Sequence, residues 1–401
     1  MGFALLPACS LLASVTLLPL ISSTQGPAGW VALGVGQGIG AIVGVIAGLA
    51  WPTIGGNAVA QAAGQDRTGI FVSSVYSRLL ILVTLLPFAT VGCLVLVEDY
   101  RTATTLFMVG TALNGMTASW YYSGLGEPRR LVLNEGVVRL AGYAVSAAAL
   151  ALGGPLTAYA AITVLAGLLS LSLNWTHIVG ATLYRTGGVY RNTLRTLSEH
   201  RLGTASRILL SAFAYGGTPI VTAVSPLSAP IYAALDQLQR ATSNATAVFP
   251  QAFVAWVSGD MAHFKRRSAI SLAFMACASA TILLGWTIVG PYIVDLLFSG
   301  QAEISRVGCF LIGLNVATGL LCGTYQLLVM IPLGLQDLVF KLSSVGAVIG
   351  VTMLAALAMT DNPYWAFAAG SIVNGLSLPY CIHMVKRQTV VIEHARRPEV
   401  Q

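Results

Sequence analysis

The chain has 401 residues, of which 56% are hydrophobic and 9% charged, against about 25% charged in an ordinary soluble domain. A water-soluble enzyme of this composition has too few polar groups to cover its own surface. The 21 Lys and Arg exceed the 14 Asp and Glu, giving a formal charge of +7. In a soluble protein that balance would point to nucleic acid, but where the charges sit excludes this reading.

At about 20 residues per crossing, apolar runs long enough to span a bilayer fall at 2–22, 30–51, 70–96, 104–122, 131–152 and 156–178. A second set falls at 206–224, 228–257, 269–297, 307–331, 340–359 and 364–385. Residues 1–21 lack the basic n-region of a secretory signal and read as the first span. The longest polar stretch divides the twelve spans six and six. This predicts an all-α integral membrane protein with one lobe over 1–180, an inner connection over 181–204, a second lobe over 205–386 and a tail over 387–401.

Lys and Arg collect in cytoplasmic connections. With the N-terminus inside, only Arg101 and Arg306 fall on the outer side and Arg240 alone falls in mid-span, so 18 of the 21 basic residues lie on the inner side. A missed or invented span would break that alternation. Both termini are therefore expected in the cytoplasm. The outer connections are short, which argues against an extracytoplasmic catalytic loop of the kind a sugar polymerase or ligase carries.

In the second span Gly36, Gly40, Gly44 and Gly48 recur every four residues, a face that permits close helix approach in lipid. Pro219, Pro250 and Pro332 sit within or beside spans, where neighbouring groups must take up the freed carbonyls. The six cysteines lie in apolar stretches without metal or disulfide spacing and read as packing residues. None of the five histidines is spaced as a metal ligand. Gly36-x-Gly38-x-x-Ala41 fits a loose dinucleotide fingerprint, but it lies inside a span with no strand before it. No Walker sequence is present, and no cofactor is expected. Asn174-Trp175-Thr176 matches a glycosylation sequon at the inner end of a span, out of reach of glycosyl transfer. The Arg-rich stretch from Tyr184 to Arg207 reads as a tether between lobes or as an amphipathic helix on anionic lipid.

The intramembrane charges are the candidate functional residues. Asp236 and Arg240 share a helix face at i and i+4, and Arg240 lies at a depth where an ionisable group facing lipid costs several kcal/mol. It must therefore face protein or a water-filled cavity, as part of a transport site or of a structural ion pair. Glu135 and Arg139 repeat the i, i+4 arrangement in the fifth span, and Arg78 lies in the third. All three are near enough to the inner edge to snorkel. Together the arginines would suit a phosphate-bearing substrate, because guanidinium groups fork onto phosphate oxygens. Asp295, at the outer end of the ninth span, reads as an exposed helix-end residue or a coupling carboxylate.

Several stretches resemble the Wzx-type polysaccharide flippases of the multidrug/oligosaccharidyl-lipid/polysaccharide exporter superfamily. Gly29-Trp30 through GLAWPTIGGNAVAQ is similar to the family's first repeat signature. Trp120 to Glu127 followed by Arg139 resembles its W-Y-x-x-G stretch ahead of an arginine. Tyr232 to Phe253 resembles the segment in which a basic residue, here Arg240, leads into a proline. PYIVDLLFSG and LLVMIPLGLQD resemble the ends of its ninth and tenth spans. The chain departs from the family in beginning almost directly in the first span, without the usual basic amphipathic lead.

The resemblance implies two MATE-like six-helix lobes around a central cavity in a bacterial plasma membrane. By alternating access they would pass an undecaprenyl-diphosphate-linked glycan from the inner to the outer leaflet. Arg240, Arg139 and Arg78 would bind the substrate, while Asp236, Glu135 and Asp295 would hold those arginines or carry a coupling H+ or Na+. Membrane lipid and other polysaccharide-assembly proteins are the further partners. A cation-coupled multidrug exporter of the same superfamily is the alternative, followed by a membrane polymerase or ligase of lipid-linked sugars.

Overall fold

The computed structural model describes residues 5–180, 201–259, 263–298, 300–302 and 304–395. The twelve expected spans, the first from residue 5 onward, fall largely on helical backbone, and no strand is present among the described residues. The Arg-rich stretch lies outside the described residues as far as residue 200.

Among the described residues seven helical runs are long and apolar enough to cross a membrane, Thr16–Gly48 among them, and the pair Ala205–Tyr215 and Gly217–Val224, bent by 61°, makes an eighth. The other expected spans escape that test because their helices are merged or interrupted. The first and second form one helical run, Leu5–Gly48, broken at Gly26, whose φ of 66° only glycine adopts readily. The connection is thus a sharp corner at Gly26-Pro27. In a straight helix Leu17 and Ala41 would lie about 36 Å apart, yet both line one cavity. Ser22 and Trp30 likewise both reach Phe298, so the chain doubles back.

The fourth span runs Arg101–Ala112, tightens to a 3-10 turn at Leu113–Met116, opens at Thr117 and resumes at Ser119–Leu125. The fifth carries a π-helical turn at Val132–Val137 between Pro128–Leu131 and Val138–Ala151. The eighth is Ala229–Thr246 followed by Val248–Ser258. That break falls four residues ahead of Pro250, where a proline ring displaces the helical hydrogen bond. The third (Gln65–Leu96), sixth (Leu156–Ile178), eleventh (Gln336–Ala358) and twelfth (Pro363–Ala395) are continuous. The ninth is Phe264–Ile288 with Gly290–Phe298, and the tenth is Arg306–Tyr325 with a π turn at Gln326–Met330.

The molecule is an all-α membrane protein of two six-helix lobes around a central cavity. Large apolar side chains such as Phe88, Val95, Leu165, Tyr292, Leu296 and Met359 stand exposed on its outside. In water they would form a costly apolar surface, and in lipid they cost nothing.

The second span sits between the lobes. Its glycines meet the fourth span in parallel register: a Cβ at Gly36 would lie 2.5 Å from the Thr104 carbonyl oxygen, Gly40 abuts Met108, and Gly44 abuts Ala112. Gly34 and Gly38 instead face Thr218 and Pro219 of the seventh span. Across the lobes Trp30 Nε1 donates to Pro230 O at 2.8 Å and Ser22 Oγ to Phe298 O at 2.6 Å. At the opposite, basic end Arg207 Nη1 donates to Leu49 O at 2.7 Å.

Ala in place of Gly inside a helix gains about 0.5–1 kcal/mol from propensity, whereas overpacking costs about 1–3 kcal/mol. Gly36→Ala is therefore expected to lower the melting temperature of the detergent-solubilised protein. Gly48→Ala, whose nearest neighbours lie 3.8 Å away, should leave it unchanged or higher. Equal melting temperatures for the two variants would show that the close contact is not limiting.

Candidate functional site

On the eighth span Gln237, Arg240, Ala241 and Asn244 follow one another at i, i+3, i+4 and i+7, so they share a face. That face lines the central cavity, about 220 Å³, together with Leu17 and Leu18, Leu33, Gln37, Thr111 and Asn114, Arg139 and Tyr143, Thr163, and Tyr215. Residues of both lobes therefore line one space, Arg139 and Arg240 among them.

Asp236 and Arg240 form a two-pronged ion pair: Nε donates to Oδ1 at 3.0 Å and Nη2 to Oδ2 at 2.6 Å. Asp236 Oδ2 also accepts from Thr218 Oγ1 at 2.6 Å. Arg240 Nη2 donates to the Tyr215 carbonyl at 3.1 Å, and the guanidinium lies 5.3 Å from the centre of the Tyr215 ring. That carbonyl is available because Pro219, four residues on, has no N–H to offer it. Among the described residues Arg240 Nη1 has no hydrogen-bond partner, and the side chain is 15% exposed, so this edge faces the cavity.

Arg139 is held more loosely. Its Nη2 lies 3.7 Å from Glu135 Oε2, it makes no hydrogen bond among the described residues, and its side chain is 30% exposed. Glu135 meanwhile is buried and already supplied: it accepts from Thr117 Oγ1, from Ala118 N at 2.8 Å and from Asn174 Nδ2 at 3.0 Å. The π turn beneath Glu135 places a helical irregularity beside the cavity, as is frequent at functional sites.

Arg78 does not line the cavity. It is completely buried and its guanidinium is spent on the break in the fourth span. Nη1 donates to Gly115 O at 3.1 Å and to Thr117 O at 2.9 Å, Nε to Ser74 O at 3.1 Å, and Nη2 to Ser74 Oγ at 3.0 Å. Its remaining face lies 5.7 Å from the Trp120 ring. Arg78 and Glu135 thus clamp one break from two sides, the arginine taking its carbonyls and the carboxylate its N–H and hydroxyl. Asp295 is exposed at the far end of the ninth span and is not among the cavity-lining residues.

The uncharged polar groups of the site were missed from sequence. Gln37, Asn114, Gln237 and Asn244 reach the cavity, and Gln237 Nε2 donates to Gln37 Oε1 at 3.2 Å across the lobes. The signal for Gln237 and Asn244 was present in their helical spacing from Arg240. Asn174, noted only for its sequon, is a buried junction that accepts from Tyr122 Oη at 3.0 Å and from Asn134 Nδ2 at 3.1 Å.

An apolar groove of about 370 Å³ adjoins the cavity, lined by Leu238, Thr242, Ile282, Gly285, Trp286 and Ile293 among others. Leu18 and Ala241 line both spaces, so charged chamber and apolar slot are contiguous between the first and eighth spans.

No protein-family profile matches the chain, and no curated protein is similar to it in sequence. Among solved structures it is similar to the lipid II flippase MurJ in an inward closed conformation, at 12% identity over 96% of this chain and 86% of that one, with a TM-score of 0.67. It is similar to an inward-facing multidrug resistance MATE family transporter of the MOP superfamily, at 13% identity over 99% and 97%, with a TM-score of 0.57. A MOP superfamily transporter from Pyrococcus furiosus, noted for the reverse polarity of its binding pocket, matches at 10% identity over 96% and 94%, with a TM-score of 0.50. The chain has the fold of these membrane transporters. At such identities the likeness is one of architecture.

The two arginines outside the eighth span are expected to respond differently to a change that keeps their charge. Arg78→Lys gives up the fork that satisfies two buried carbonyls and should cost on the order of 3 kcal/mol of stability. Arg139→Lys should cost less than about 0.5 kcal/mol. Thermal unfolding of the two variants in detergent measures the difference, and an unaffected Arg78→Lys would remove the clamp from the account.

Proposed function

We propose that this protein is a secondary transporter that carries a polyprenyl-diphosphate-linked polysaccharide repeat unit from the inner to the outer leaflet of a bacterial plasma membrane. The observation that carries the reading is the contiguity of a cationic cavity with an apolar groove. A lipid-linked diphosphate is a doubly amphipathic object: its anionic group needs guanidinium partners, and its prenyl chain needs an apolar surface that remains continuous with the bilayer. Arg139 and the free edge of Arg240 supply the first, and the groove from Leu18 to Ile293 supplies the second. Arg139 and Arg240 are the two cationic groups that line the cavity.

The roles within the site follow from the bonds. Arg139 binds the diphosphate directly. Arg240 joins it when Asp236 gives up part of its hold, and a proton or Na+ taken by Asp236 is the coupling event that loosens that hold. Arg78 and Glu135 position the broken fourth span rather than touching substrate. The sequence resemblance to polysaccharide flippases and the fold shared with a lipid II flippase both support this reading. A multidrug exporter of amphipathic cations would be served by an anion in the cavity, whereas no carboxylate lines it and Asp236 and Glu135 are turned onto their own donors.

Reconstitution into liposomes with undecaprenyl-diphosphate-N-acetylglucosamine, scored by accessibility of the sugar to an external lectin, tests the function. Arg139→Ala is expected to cut the translocation rate by at least about tenfold, equivalent to about 1.4 kcal/mol of lost binding, while the variant elutes and melts like the parent. Translocation at the parental rate in Arg139→Ala would sink the site. Ethidium efflux by the parent protein, with no translocation of the lipid, would establish the multidrug reading in its place.

A further inference from the structure

The eighth span borders a second lined space, on the flank beside its arginine face. A cleft of about 330 Å³ runs between it and the tenth and twelfth spans, a size within the range of about 300–1,000 Å³ typical of ligand sites. No charged side chain lines it. Its polar groups include Gln239, Ser243, Thr246, Asn315, Thr324 and Asn374. Gln239 immediately precedes Arg240 and Ser243 immediately precedes Asn244, so the cleft and the cationic cavity lie about 100° apart around one helix.

Two polar groups of the cleft are left waiting. Helical threonines nearby pass their hydroxyl proton to the carbonyl four residues back, as Thr242, Thr246 and Thr318 do. Thr324 is fully buried and its Oγ1 has no hydrogen-bond partner among the described residues. A hydroxyl left unmet in the interior costs about 1–3 kcal/mol. The Asn374 amide also makes no hydrogen bond among the described residues. The tenth-span wall is opened by glycine: nothing lies within 4 Å of a Cβ built at Gly323, and the nearest atom to one at Gly319 is Asn374 Nδ2 at 3.4 Å. Across the space Asn315 Nδ2 donates to Gln239 Oε1 at 3.2 Å.

The lining selects the ligand class. A cation would lose its hydration with no carboxylate to replace it, and an anion would find no guanidinium or ammonium. Amides and hydroxyls that both donate and accept match a neutral polyhydroxylated molecule, and Val316, Leu320 and Leu327 offer apolar surface to the C–H face of a sugar ring. We propose that this cleft is a carbohydrate subsite, which receives an uncharged sugar of the glycan while Arg139 and Arg240 hold the diphosphate. The assignment of the sugar to that particular substrate rests on the reading of the central cavity given above; the chemistry of the cleft does not.

Gly323→Leu fills the cleft from a position with open space in front of it, and Asn374→Leu removes an amide that has no bond to lose. Saturation-transfer NMR of the detergent-solubilised protein with maltose, cellobiose, lactose and N,N′-diacetylchitobiose, each at millimolar concentration, reads the cleft alone. At least one disaccharide is expected to give a signal with the parent protein that falls about tenfold in Gly323→Leu. Should that variant fail to fold, Asn374→Leu decides by the same loss. No signal from any disaccharide, or a signal that survives the substitution, would overturn the subsite. Binding of sugar-free undecaprenyl diphosphate reads the cavity: Gly323→Leu should change it by less than about twofold and Arg139→Ala should abolish it. A parent protein that ignores the sugar-free lipid but shows a Gly323-dependent disaccharide signal would refute the cavity reading and uphold the cleft.

Discussion

In hydrocarbon, neither a charge nor an opened backbone bond is left without a partner, and the interior of this protein is organised by that rule. At Thr117 the fourth span lets go of its helical bonds, and the carbonyls of Gly115 and Thr117 would be stranded but for Arg78. On the other side of the break Glu135 takes the Ala118 N–H. The seventh span repeats the device, with the Tyr215 carbonyl that Pro219 cannot bond taken by Arg240. Each arginine is bought a buried position by a fault in a neighbouring helix, and each fault is tolerated because a charged side chain completes it.

The division of labour among the charges follows. Arg78 is spent on three carbonyls and the Ser74 hydroxyl, Glu135 on three donors, and Asp236 on Thr218 together with Arg240. What is left over faces the space between the lobes: the loosely paired Arg139 head and one edge of Arg240. The cavity is therefore polar where it faces these groups and apolar where Leu18 and Ala241 lead out along the eighth helix. One helix, Ala229–Thr246, serves three environments at once, because its 3.6-residue turn aims Arg240, Leu238 and Gln239 in three directions.

Much of the architecture was legible in the sequence because the membrane writes it in composition: long apolar runs mark the helices, and the segregation of basic residues sets their order. Arg240 and Asp236 were legible because their depth demands a partner. The roles of Arg78 and Glu135 were not, since both converge on a break that Leu113–Ala118 does not announce by any proline or glycine pair of its own. Gln37 and Asn114 were passed over for a related reason. A neutral amide in a span costs little enough to carry no message alone, and only the folded chain brings it beside Arg139. The first outer connection was read only as short, whereas a single positive φ at Gly26 does the turning.

The second span presents glycine on two sides, Gly36 and Gly40 to the fourth span and Gly34 and Gly38 to the seventh. Helices that interlock by knobs must withdraw side chains from holes before they shift, and this boundary between the lobes has backbone on one side of the contact. Only the Gly34 and Gly38 side meets the other lobe, against Thr218 and Pro219, while the Gly36 and Gly40 side packs within its own, so one helix brings backbone to a close approach both inside a lobe and between the two.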